Sequence, residues 1–140
     1  MAYSEAMTRD RHVVVVHHAP LVVEAVAMVL SMQGCTVHAA ATYTEAKTIL
    51  RAFGEDIEAV IAHGDMPNEP LPGTLLRLVR ATNRATAIVV LSARSDIDIG
   101  PWPPGAVLLR EPFDRADLIA ALAAASKRLP PLPPEMLPAA

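Results

Sequence analysis

Arg11-His-Val-Val-Val-Val-His-His-Ala-Pro20 is the stretch that decides the fold. Its four consecutive valines, residues 13–16, present β-branched side chains to both faces of an extended chain. A strand apolar on both faces is covered on both sides, as strands of a parallel sheet are. His17 and His18 close the run, and Pro20 stands where the first turn of a helix tolerates a missing N–H. A buried strand that passes straight into a helix is the first unit of a βα repeat.

The pattern recurs downstream. A helix over 21–33 ends at Gly34, which suits the left-handed position after a helix. A weaker strand over 36–41 leads to Thr42 and Glu45, which have capping-box spacing, and to a helix that stops before Gly54. A third strand, 57–62, ends at His63-Gly-Asp65. A loop over 68–73 then precedes a helix over 74–81 with Leu75, Leu78 and Val79 on one face. A fourth strand, 87–91, ends at Ser92. Pro101, Pro103 and Pro104 exclude an ordinary helix from the next connection. A short fifth strand, 106–109, runs into Arg110-Glu111-Pro112-Phe113, and Asp114 caps a last helix reaching 127.

Composition fits this pattern. The 140 residues suffice for one domain, and 52% hydrophobic with 19% charged residues indicates a folded chain. A formal charge of −3 without a basic stripe gives no reason to expect nucleic acid as a partner. The single cysteine, Cys35, cannot close an internal disulfide and suits a reducing compartment. The sequence contains neither an apolar run of about 18 residues nor a signal-peptide pattern near Met1, so no membrane association and a cytoplasmic location are expected. Three segments are expected: a loose leader over 1–11, a domain over 12–128, and an extended tail over 129–140 with five prolines.

Alternating strands and helices predict a three-layer α/β fold, whose sites lie at the carboxyl ends of the strands. Those ends carry His17, His18, His63, Ser92 and Glu111. His12 and His38 fall away from this rim and are expected as ordinary surface residues.

From about residue 11 to 127 the chain resembles the receiver domain of bacterial two-component response regulators, the CheY-like superfamily. The resemblance rests on the apolar strand with its pair of site residues and proline-started helix, and on the strand closing at His63 before Met66-Pro67. It rests further on the strand ending in Ser92-Ala93 and on Glu111-Pro112-Phe113 before the last helix. It implies a flavodoxin-like (βα)5 fold, doubly wound about a five-stranded parallel sheet of order 2-1-3-4-5. Here the fourth helix would be shortened or replaced by a Pro-rich loop; some family members likewise carry Pro-Pro-Gly there.

The resemblance also assigns positions, and most depart from the family pattern. The acidic pair that holds Mg²⁺ in the family falls at His17 and His18, and the phosphate-accepting aspartate at His63. Asp65 stands where a backbone carbonyl reaches the metal. Ser92 keeps the hydroxyl position, Glu111 replaces the clamping lysine, and Leu108 replaces the aromatic switch. Imidazoles are poor ligands for Mg²⁺, so Mg²⁺ binding is expected to be lost and no cofactor is expected. Without a carboxylate at position 63 no acyl phosphate can form there. Glu111 would repel a phosphoryl group, and as an acceptor it can take a hydrogen bond from His63 or His18.

The resemblance therefore implies a stand-alone, degenerate pseudo-receiver that is not an enzyme and signals through protein contact. Val23, Ala27 and Met28 stand where the first helix should be polar, since between Leu21 and Met32 only Glu24 and Ser31 are polar. An apolar surface there, beside the alanine-rich last helix, suits a signalling protein such as a kinase or another regulator, or a second copy of the chain. Trp102 is either a further contact or packing over the sheet edge. The alternative function is a sensor of metal or of pH. His18 and His63, with Asp65 or Glu111, offer nitrogen and oxygen ligands to Zn²⁺ or Ni²⁺, and clustered imidazoles titrate near neutrality.

Overall fold

The valine run forms β1 (His12–Val16), which lies between β2 (Thr36–Ala40) and β3 (Ile57–His63). Beyond β3, β4 (Ala87–Ser92) and β5 (Val107–Arg110) complete a parallel sheet of order β2-β1-β3-β4-β5. This computed structural model describes residues 11–93 and 100–127. The leader apart from Arg11, the Pro-rich tail and residues 94–99 of the fourth connection lie outside the described residues.

Strand side chains alternate in direction, so the valines feed two cores. Val14 and Val16 join Val60, Ala62, Ile88 and Val90 under α2 (Tyr43–Phe53) and α3 (Thr74–Thr82). Val13 and Val15 join Ala59, Ile61, Val89 and Leu91 under α1 (Pro20–Met32) and the last helix, α4 (Arg115–Lys127). All four valines are buried, and each such side chain stabilises the fold by about 1.5–3 kcal/mol relative to an exposed one. Helices thus cover both faces, which gives the three-layer α/β fold expected from the repeat and, with this strand order, the doubly wound flavodoxin-like form that the resemblance implies.

Several local expectations change in detail. Glu45 N–H donates to Thr42 Oγ1 at 3.2 Å, but the Glu45 carboxylate accepts from Ala41 N–H at 2.6 Å rather than from Thr42. The capping box at α2 is therefore displaced by one residue on its return side. At α4 the box is complete: Asp117 N–H donates to Asp114 Oδ1 at 2.8 Å and Asp114 N–H to Asp117 Oδ2 at 3.1 Å. β5 starts one residue later than expected because Ala106 N–H turns back to the Pro103 carbonyl at 3.3 Å.

Leu78 faces outward, and Leu75, Leu76, Val79 and Arg80 form the buried face of α3. Arg80 reaches three carbonyls, those of Pro104, Arg84 and Thr86, at 3.1, 3.0 and 2.6 Å. It ties α3 to both the turn before β4 and the proline-rich connection before β5. Among the described residues that connection contains no helix. Trp102 closes it by packing on the core beside Leu108, over Gly64, where an added Cβ would lie 2.9 Å from the indole. Trp102 is therefore packing in this fold.

His12 and His38 are not ordinary surface residues. Both are half-buried, His12 at the amino end of β1 and His38 in the middle of β2, with His12 Nδ1 2.9 Å from His38 Nε2 and Phe53 packed against both rings. Parallel register aligns Val14 rather than His12 with His38, so the rings meet diagonally across the two strands.

Candidate functional site

The three strands that end at the carboxyl edge bring the predicted rim together. His17 follows β1, where its N–H donates to the Ala40 carbonyl at 3.0 Å, and His63 is the last residue of β3. Glu111 follows β5 and is held by its N–H to the Ser92 carbonyl at 2.9 Å. The rings of His17 and His63 meet edge to face with centroids 4.6 Å apart. His18 stacks on His17 at 5.0 Å and stands edge-on to His63 at 5.0 Å. His17 is 4% exposed, His63 and Glu111 are half-buried, and His18 and Asp65 lie at the surface.

Hydrogen bonds fix the state of His17. Ala19 N–H donates to its Nδ1 at 3.0 Å, so the neutral ring carries its proton on Nε2 and donates to Glu111 Oε1 at 2.8 Å. Burial lowers the His17 pKa from its ordinary value, and the hydrogen bond to Glu111 only partly opposes this. His17 is thus a neutral bridge from the start of α1 to the end of β5. His63 Nδ1 lies 3.1 Å from Asp65 N–H and 3.0 Å from the Asp65 carbonyl oxygen. It accepts from the first when unprotonated and donates to the second when protonated.

Two expectations are corrected here. Glu111 takes its hydrogen bond from His17, not from His63 or His18. The ligand atoms that converge are those of His17, His63 and Glu111, all within 4.8 Å of one another, so of the expected His18 and His63 with Asp65 or Glu111, His63 and Glu111 stand in the set and His17 takes the place of His18. The physical reason is strand parity. Residues 13 and 15, 59 and 61, and 107 and 109 point to the α1–α4 side of the sheet, and continuing the alternation by one step reaches 17, 63 and 111 and passes over His18. Parity is legible in the sequence and is the signal that finds the trio. Ser92 is buried at the end of β4, and Leu108 is half-buried on the opposite core.

The first helix also differs from expectation. Val23 and Ala27 are half-buried, whereas Leu21, Met28 and Met32 are 80%, 62% and 64% exposed. With the exposed Ala25 they form a stripe at helical spacing. On α4, which covers the same face of the sheet, Ala116, Ile119, Ala120 and Ala123 are exposed. No helix among the described residues is long and apolar enough to cross a membrane.

Sequence reasoning missed Glu69 and Arg80. Glu69 accepts from Leu75 N–H at 2.8 Å and holds the first turn of α3, and burial raises its pKa. Its signal is weak, a lone acid before two prolines. Arg80 follows Leu76 by four residues on the helix, and that spacing alone places it on the buried face.

The two histidine clusters predict a pH dependence. Burial lowers the pKa of both His17 and His38. The unfolded chain therefore binds these protons more readily, and stability is full above the unfolded value of about 6.5 and declines as pH falls through it toward the folded values. Urea midpoints at pH 7.5 and 5.5 measure this: the lower pH gives the lower midpoint. His38→Phe, which keeps the stack on Phe53 and cannot protonate, reduces the difference.

No family model matches the chain, and no curated protein matches it. Solved structures do. A response regulator receiver protein from Sinorhizobium medicae is 18% identical, with a TM-score of 0.74 over 84% of this chain and 95% of that one. A response regulator receiver domain protein from Clostridium thermocellum is 24% identical, with a TM-score of 0.69 over 84% and 95%. A chain of the CheX-CheY-BeF3-Mg²⁺ complex from Borrelia burgdorferi is 18% identical, with a TM-score of 0.70 over 81% and 87%. Five parallel strands in this order, wrapped on both faces, give the chain the fold of the response regulator receiver domains.

Proposed function

We propose that the chain is a pseudo-receiver of two-component-type signalling that is not phosphorylated by the aspartyl route and acts through protein contact. The observation that carries this is the neutral His17 bridging to Glu111 at 2.8 Å, at the rim where the fold's phosphoryl chemistry is carried out. Receiver chemistry needs carboxylates for Mg²⁺ and for the phosphoryl group, and a cation to neutralise it. At the corresponding positions this rim has two buried or half-buried imidazoles, an exposed one, and a carboxylate in place of the cation. The donor set does not fit Mg²⁺, which takes oxygen ligands in near-ideal octahedral geometry. His63 Nδ1 also lies against the Asp65 carbonyl that would otherwise be offered to the metal. The proposed role is one of contact and not of catalysis.

The stripe Leu21, Ala25, Met28 and Met32 is the contact surface in this reading, with a signalling protein or a second copy of the chain on it. The Borrelia complex, in which CheX and CheY occur together, supports a protein as the partner of this fold. Met28→Glu tests it. Met28 is exposed, so the variant keeps its thermal midpoint within about 2 °C, while its sedimentation coefficient or its retention of partner changes. Unchanged mass together with unchanged partner retention removes this surface from the account.

A further inference from the structure

We propose that His17, His63 and Glu111 bind one divalent transition-metal ion of the zinc type. Two imidazoles and a carboxylate are a donor set that zinc accepts in open sites, with the remaining position left to water or another ligand. The three ligand atoms lie within 4.8 Å of one another, and a tetrahedral ion with bonds of about 2.1 Å needs them roughly 3.4 Å apart. His63 and Glu111 are half-buried and have room to close that gap. Each ligand stands on a different strand end, so the sheet holds them near one another before the ion arrives.

The protons balance. The neutral His17 ring carries its proton on Nε2, between that nitrogen and Glu111 Oε1. The ion takes the place of this proton, which moves to Nδ1 and turns it away from the Ala19 N–H; the Nε2 to Oε1 separation opens from 2.8 Å. His63 needs no such exchange. With its proton on Nδ1, donated to the Asp65 carbonyl 3.0 Å away, its Nε2 is free for the ion, and the carbonyl fixes the orientation of the ring behind it. An open cleft of about 340 Å³ reaches His17 and His18 and is lined by Glu24 and Glu45, an acidic approach for a cation. His12 and His38 offer two close nitrogens at the other end of β1 but no third ligand among the described residues. This inference stands apart from the signalling reading, because an ion held by imidazoles supplies neither an acyl acceptor nor a contact surface.

The test is transfer of zinc from a chromophoric chelator to the full chain, followed by absorbance, with thermal unfolding of each metal-free variant as the check on folding. The parent is expected to take one ion. His63→Ala and Glu111→Gln are each expected to weaken binding by at least about 10-fold. The amide oxygen introduced by Glu111→Gln would still accept from His17 Nε2–H, so that variant keeps the metal-free bridge. His38→Phe is expected to bind as the parent does. Failure of the parent to take zinc at micromolar concentration overturns the proposal, as does parent-like binding in both rim variants, or loss of binding in His38→Phe.

Discussion

Arg80→Met is expected to lower the unfolding free energy by about 2–3 kcal/mol and the thermal midpoint by roughly 8 °C. Arg80 is 8% exposed, and its Nε and Nη1 supply the donors for the carbonyls of Pro104, Arg84 and Thr86. Methionine fills similar volume and relieves the cost of burying a charge, yet leaves three carbonyls without that donor. The charge itself is held at a cost: burial lowers the Arg80 pKa, and Nη2 is buried with no hydrogen-bond partner among the described residues. Arg77 is the control. It is exposed and makes longer contacts of 3.5 and 3.3 Å to the Pro72 and Pro101 carbonyls, so Arg77→Met should cost under about 0.5 kcal/mol. Urea denaturation of both variants measures the contrast, and equal losses would mean that Arg80 is not the tie between α3 and the proline-rich connection.

In the proposed reading, giving the rim the charges that receiver chemistry needs should let it bind Mg²⁺ with a phosphoryl analogue. A variant with His17→Asp, His18→Asp, His63→Asp and Glu111→Lys has oxygen ligands at three strand-end positions, a cation at the fourth, and the buried Ser92 hydroxyl already present. Mg²⁺ with beryllofluoride is expected to bind this variant on the order of 100-fold more tightly than the parent, because hard oxygen donors replace imidazoles and a lysine replaces a repelling carboxylate. Calorimetry reads the difference. His63→Asp alone is expected to gain little, since Glu111 still faces the site across 2.8 Å from His17. If the fourfold variant binds no better than the parent, these four residues do not carry the pseudo-receiver reading.

The sheet is legible in the sequence because its signals are local and redundant. The β-branched run Val13 to Val16 reads as a strand buried on both faces, Pro20 can start a helix but not continue one, and the prolines from 101 to 104 exclude an ordinary helix from that part of the connection before β5. Site positions are legible as strand ends. Their pairing is harder to read, since it depends on which side of the pleat each end faces and on hydrogen bonds between residues 94 apart, such as His17 and Glu111. Parity selects His17 over His18. Nothing local shows that Ala19 N–H fixes the tautomer. Met28 is exposed as its position predicts, whereas Val23 and Ala27 turn half inward because the helix settles with Val26 and Leu30 as its buried ridge. Arg80 escapes a reading that equates charge with surface, because its partners are backbone carbonyls that no sequence pattern marks.

The most direct test of the central claim is incubation of the chain with a small phosphodonor and Mg²⁺, followed by intact-mass measurement before and after mild acid or hydroxylamine. The parent is expected to keep its unmodified mass throughout. A stoichiometric, acid-labile phosphoryl adduct would contradict the account, whichever residue of the rim carried it.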